Sequence, residues 1–66
     1  MDMPVTHVAP SGAAYTGTYA VLDGFVSVLV QGQTHSGPLG TVPAKETAKL
    51  LIGEIVGMFR ITPDAL

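Results

Sequence analysis

Two patterns of apolar and polar residues follow one another along the chain. Over residues 14–31 apolar residues alternate with polar or small ones, which is the period of a β-strand. Over residues 43–59 apolar residues recur every three or four positions, which is the period of a helix. The sequence therefore predicts an α+β fold, a small antiparallel β-hairpin or three-stranded meander followed by one C-terminal amphipathic helix.

The hairpin is centred on Asp23-Gly24, which lies between two apolar runs. Asp-Gly is a strong hairpin signal because a type I′ turn needs positive φ at both central residues. With these two residues in the loop, Leu22 pairs with Phe25, and alternation sorts the strands into two faces. The predicted core face carries Tyr15, Tyr19, Val21, Val26, Val28 and Val30. The other face is mixed and carries Thr16, Thr18, Ala20, Leu22, Phe25, Ser27, Leu29 and Gln31.

A second and weaker turn signal stands at Gln31-Gly32. A two-residue loop there predicts a short third strand over 33–36 and places His35 beside Val28. A wider loop would put His35 on the opposite face of the sheet. The segment 36–40, "SGPLG", is rich in residues that break strands, and we expect it to leave the sheet.

The segments on either side of this pattern are predicted to be irregular. Residues 1–13 contain Pro4 and Pro10 and show no hydrophobic period, so we expect a flexible N-terminal arm. The alternative is an arm that docks on a neighbour. Residues 62–66 are expected to form a short C-terminal tail. Residues 14–61 between them form a single predicted ββ(β)α domain.

The predicted helix runs over 43–59, and a proline suits its first turn, where the missing N–H is no loss. At 100° per residue its apolar side chains fall on one arc, and we expect docking through Leu51, Ile55 and Phe59. The full arc is Ala44, Ala48, Leu51, Ile52, Ile55, Met58 and Phe59. Lys45, Glu46, Lys49 and Arg60 lie on the opposite side.

Gly53 and Gly57 lie four residues apart on an outer strip of the same helix. A glycine in an exposed helix costs about 1 kcal/mol relative to alanine. Either another backbone approaches this strip closely, or a helix held by packing simply tolerates the two residues.

Composition points towards association. The 66 residues are 47% apolar and only 12% charged, and there is no cysteine to form a disulfide or a thiolate metal site. A domain of this size buries only about 60% of the surface of its unfolded chain. We therefore expect a homo-oligomer that hides a second apolar surface.

Charge and hydropathy exclude other classes of partner. The net charge is −2 with three Lys or Arg residues, which argues against nucleic-acid binding. The apolar runs are far shorter than the roughly 20 residues of a membrane span. The opening "MDMPVTHVAP" has no basic residue and does not read as a signal peptide, so a cytoplasmic protein without membrane contact is expected.

No set of side chains has the spacing of a catalytic or metal site. His7 and His35 are the only histidines and are not spaced as paired metal ligands. His35 and Ser36 are adjacent in a strand, so they point to opposite faces and cannot share a proton. The carboxylates form no acid/base pair, and the glycines form no phosphate-binding loop. We accordingly predict no catalytic residue, no metal ligand and no cofactor.

The stretch "SGAAYTGTY", residues 11–19, resembles the opening of the plasmid-borne type II dihydrofolate reductases. That family forms SH3-like barrels, four of which enclose one active-site pore. The resemblance covers under a seventh of the chain. The family's Val-Gln-Ile-Tyr motif is missing, and a long C-terminal helix is foreign to that fold. What the comparison illustrates is that a very small chain can build a site across a symmetry axis.

Two hypotheses about function follow. The first is a small homo-oligomeric interaction or adaptor protein without catalytic activity, whose partner is its own copy and possibly another protein. Its interface candidates are Leu22, Phe25, Leu29, Gly53 and Gly57. The alternative is a small-molecule-binding protein or enzyme with a pocket formed between subunits. Its pocket candidates are Tyr15, Tyr19 and His35.

Overall fold

A computed structural model describes residues 3–64, which form one antiparallel sheet followed by one helix. The elements are β1 (Met3–Val8), β2 (Ala14–Leu22), β3 (Phe25–Val30), β4 (Gln33–Pro38) and α1 (Ala44–Met58). The strands lie in the order β1-β2-β3-β4, so the sheet is a simple meander, and α1 covers one of its faces. The predicted α+β class is confirmed, with four strands in place of three.

The predicted central hairpin is confirmed with its register. Asp23 and Gly24 both have positive φ, at 51° and 78°, and Leu22 pairs with Phe25 across the turn. Gln31 and Gly32 repeat this geometry with φ of 48° and 82°. The β3–β4 loop therefore has two residues, and His35 lies beside Val28, as the two-residue alternative required.

Strand β1 is the part of the sheet that the sequence prediction missed. It lies within residues 1–13, for which a flexible arm was expected, and it pairs with β2 along its whole length. The proline Pro4 does not prevent this, because a strand at the edge of a sheet can lack an N–H on its outer side. Residues 1 and 2 of the predicted arm, and residues 65 and 66 of the predicted tail, lie outside the described residues.

A compact turn joins β1 to β2. Gly12 N–H donates to the Ala9 carbonyl and Ala9 N–H donates to the Ala13 carbonyl, both at 2.8 Å, and Gly12 has a φ of 92°. This is a type I turn followed by a left-handed glycine, a common three-residue hairpin loop. Pro10 and Gly12 stand at the positions this turn favours, so the segment turns the chain back onto β2.

Strand β4 also extends further than expected. The "SGPLG" segment was predicted to leave the sheet at Ser36, but β4 continues through Gly37 to Pro38. Gly37 pairs with Val26 and Pro38 with Phe25. Like β1, β4 is an edge strand, where proline and glycine are tolerated because only one side of the backbone must pair.

The core lies between α1 and the inner face of the sheet. Its buried residues are Val5, Tyr15, Val26, Val28, Val30, Ala48, Leu51, Ile52 and Ile55. The expectation that Phe59 docks the helix is wrong, since Phe59 is 43% exposed. The helix ends at Met58 and Phe59 adopts an extended conformation, so its side chain leaves the helical spacing that placed it with Leu51 and Ile55.

The chain after α1 returns to the sheet. The side chain of Gln31 bonds both backbone groups of Thr62, donating to its carbonyl (2.6 Å) and accepting from its N–H (3.1 Å). Asp64 N–H donates to the Ala14 carbonyl (2.7 Å), and the Asp64 carboxylate accepts from the N–H of Thr16 (3.2 Å). Asp64 thus pairs with β2 where β3 has already ended.

Candidate functional site

The face of the sheet opposite α1 is the surface that the fold leaves uncovered, and we call it the open face. Strand alternation and the pairing registers define its members. They are Pro4, Thr6, Val8, Ala14, Thr16, Thr18, Ala20, Leu22, Phe25, Ser27, Leu29, Thr34, Ser36 and Pro38. No member carries a charge. Such a face is unusual for the solvent side of a sheet, which is commonly polar.

The three predicted interface residues of the sheet lie on this face. Leu22 is 73% exposed, Phe25 53% and Leu29 44%. Leu22 and Phe25 are directly paired, and Pro38 pairs with Phe25 from the other side. These three form an apolar row at one end of the open face, and Leu29 lies further along β3 beyond Ser27.

Hydroxyl groups occupy much of the rest of the open face. Thr6 Oγ1 and Thr16 Oγ1 lie 2.9 Å apart, and the Thr16 hydroxyl donates to the Asp64 carboxylate. Asp64 thereby fixes these side chains at the margin of the face. No pattern in the sequence indicates this contact, because it joins residues far apart in the chain.

Two shallow hollows mark the centre of the open face. One, of about 120 Å³, lies between β2 and β3 and is lined by Thr18, Tyr19, Ala20, Ser27, Val28, Leu29 and Thr34. The other, of about 290 Å³, is lined by Ser27, Thr34, His35 and Ser36. The side chains that line them from the open face are hydroxyl or aliphatic groups. Such groups supply packing and hydrogen bonds, which suits non-covalent contact.

The two helix glycines lie on the other side of the molecule. A Cβ atom on Gly53 would lie 3.2 Å from Cε1 of His7, so the histidine ring of β1 packs against the helix at this point. A Cβ atom on Gly57 would meet nothing within 4 Å. The close approach of the His7 ring therefore explains why position 53 is a glycine. The structure does not bring the two glycines together with Leu22, Phe25 and Leu29.

The three pocket candidates all lie on the side of the sheet that faces α1. Tyr15 is buried in the core. Tyr19 and His35 share a row of the sheet with Val28 between them. His35 Nε2 donates a hydrogen bond to Glu54 Oε1 at 2.6 Å, since a carboxylate can only accept. This bond ties β4 to α1.

Residues 3–64 meet neither the requirements of a metal site nor those of a membrane-spanning helix. Over that range no three His, Cys, Asp or Glu side chains come together in a way that would hold a metal ion. Within the same range α1 is too short and too polar to cross a membrane.

Comparisons with protein-family models, with curated proteins and with solved structures find no match.

Proposed function

We propose that this chain is a small interaction protein without catalytic activity of its own, and that it associates with its own copies through the open face. The observation that carries the proposal is the exposure of Leu22, Phe25 and Leu29 on a sheet face that has no charged member. Removing apolar surface from water is worth roughly 25 cal/mol per Å². An exposed apolar patch on a small protein is typical of an interaction site.

A second copy fits this face for two reasons. In an interface with two-fold symmetry the same surface of both copies is in contact, so the face must be able to pack against an identical face. A face covered with charges of one sign fails this condition through repulsion. The open face has no charged strand residue, and the Asp64 carboxylate at its margin is hydrogen-bonded to the Thr16 hydroxyl. Two such sheets would stack about 10 Å apart, with one helix on each outer side.

The size of the surface sets the conditions of the test. Four strands about 4.8 Å apart, three of six residues and one of nine, make a footprint of roughly 20 by 20 Å over the part where all four pair. This is smaller than the roughly 800 Å² per partner of a standard stable interface. We therefore expect an association that depends on concentration in the micromolar range, and the measurement must cover low to high micromolar protein.

Sedimentation velocity tests the proposal with two matched variants. Phe25→Lys places a charge in the apolar row of the open face and is expected to give a monomer of 6.8 kDa at all concentrations. Leu50→Lys makes the same change at a 66% exposed residue of α1, away from the open face, and is expected to leave the association unchanged.

Two results would contradict the proposal. One is a wild-type chain that stays at 6.8 kDa up to high micromolar concentration. The other is dissociation by Leu50→Lys and not by Phe25→Lys, which would move the interface to the helix. Gly57→Leu is the better second probe of a helix interface, since Gly53→Leu would also push against His7.

A further inference from the structure

The outer edge of β1 is a second surface with binding capacity, separate from the open face. The hydrogen bond from Ala9 N–H to the Ala13 carbonyl fixes which residues of β1 point their backbone towards β2. Since these positions alternate along an antiparallel strand, Pro4, Thr6 and Val8 direct their backbone groups outward. Thr6 and Val8 offer an N–H and a carbonyl each, while Pro4 offers a carbonyl alone.

Two lysines of α1 stand beside this edge. A hollow of about 350 Å³ is lined by Pro4, Val5 and Thr6 of β1 and by Lys45 and Lys49 of the helix. The chain has only three Lys or Arg residues, so two of them lie at one strand edge. Lys49 also pairs with Glu46 at 3.4 Å, one turn back in the helix, and its side chain remains 38% exposed.

We propose that the β1 edge binds an extended acidic segment of another protein, which adds to the sheet as a fifth strand. Strand addition supplies main-chain hydrogen bonds at Thr6 and Val8, and the side chains of the added strand alternate between the two faces of the sheet. Every second side chain would then face the helix. Carboxylates at those positions would lie beside Lys45 and Lys49, so the charge pattern selects the partner.

A second copy fits this edge poorly. Two β1 edges placed side by side would bring four lysines together, which costs free energy through repulsion. Strand β4 has no carboxylate in its sequence, and the neighbouring Glu54 is already hydrogen-bonded to His35. Charge complementarity at the β1 edge therefore favours an acidic segment from a different chain.

Lysines and prolines at a sheet edge also have a protective role, because they discourage pairing with other chains. The two roles give opposite results with an acidic probe. A protected edge rejects every added strand, whereas a binding edge accepts an acidic one and rejects a basic one.

Fluorescence anisotropy with a labelled peptide of alternating glutamate and threonine tests the proposal. We expect saturable binding that weakens as salt rises. The double variant Lys45→Glu/Lys49→Glu should weaken binding by about tenfold or more, because it replaces two favourable surface charge contacts with repulsive ones. Arg60→Glu removes the third cation, which does not line the hollow beside the β1 edge, and is expected to change binding far less.

Two controls separate strand addition from simple charge attraction. The same peptide with every backbone amide N-methylated keeps its charge but has no N–H to donate to β1, and it should lose binding. Amide hydrogen exchange of the complex should slow at Thr6 and Val8 and stay unchanged at Thr34 and Ser36 on the β4 edge. The proposal is overturned if the acidic peptide does not bind, if the N-methylated peptide binds equally well, or if protection falls on β4.

Discussion

The glycines of this chain differ in how closely other atoms approach them. A Cβ atom on Gly17 would lie 2.5 Å from the carbonyl oxygen of Leu29 and 2.6 Å from Cγ2 of Val30, so β2 needs a residue without a side chain there. The pattern of the hairpin strands could not reveal this, because the close contact depends on how β2 and β3 pack. Gly53 is tight against His7, while Gly57 is open to solvent.

The two helix glycines give a prediction at the level of single residues. Gly57→Ala should raise the free energy of unfolding by about 0.5 to 1 kcal/mol, because alanine costs less backbone entropy in a helix and nothing lies in its way. Gly53→Ala should gain less, because its methyl group meets the ring of His7 at 3.2 Å. Urea denaturation of both variants measures the difference.

His7→Ala provides the control for this comparison. In that background Gly53→Ala should gain about as much as Gly57→Ala does, because the ring is no longer in the way. If both glycine substitutions raised the free energy of unfolding equally in the wild-type chain, the contact with His7 would not oppose a methyl group at position 53.

At the scale of elements, the docking of α1 depends on its middle turns. Ile55→Ala should lower the free energy of unfolding by about 2 to 5 kcal/mol, since Ile55 is fully buried between helix and sheet. Phe59→Ala should cost much less, because Phe59 lies beyond the helix and is partly exposed. Thermal and urea unfolding measure both effects. If Phe59→Ala lowered the free energy of unfolding as much as Ile55→Ala does, the segment after the helix would contribute a large part of the core.

The elements also show what sequence patterns can and cannot predict. The hairpin at Asp23-Gly24 and the middle of α1 follow from local chemistry, turn geometry in one case and a helical period in the other. The strand β1 was missed because Pro4 argues against a strand until its position at a sheet edge is known. The contact of Asp64 with Thr16 depends on the tertiary fold alone.

The sequence predicts the apolar residues of the open face but not the other properties of the two candidate surfaces. Alternation from the hairpin register is enough to gather Leu22, Phe25 and Leu29 on one face, and the structure places them there. Alternation in the hairpin alone does not predict that every strand residue of the open face is uncharged, because this property depends on β1 and β4 as well. The hollow beside Lys45 and Lys49 needs β1 as well, so no pattern in the sequence could indicate it.

At the scale of the whole molecule, the fold separates three surfaces of different character. The open face has no charged strand residue, the β1 edge is flanked by lysines, and the outer side of α1 carries mixed charges. An association through the open face leaves the β1 edge free. The two proposals are therefore independent of each other, and a dimer has room to bind two acidic segments at once.

The last prediction concerns stability and applies to the assembled molecule. If copies associate through the open face, folding and association are linked, and the melting temperature should rise with protein concentration. Differential scanning fluorimetry or calorimetry from low to high micromolar protein measures this rise. Phe25→Lys should give a melting temperature that does not depend on concentration, and Leu50→Lys should behave like the wild-type chain. A wild-type melting temperature that stays constant over this range would show that folding does not draw on association, and the open face would then have to serve a different partner.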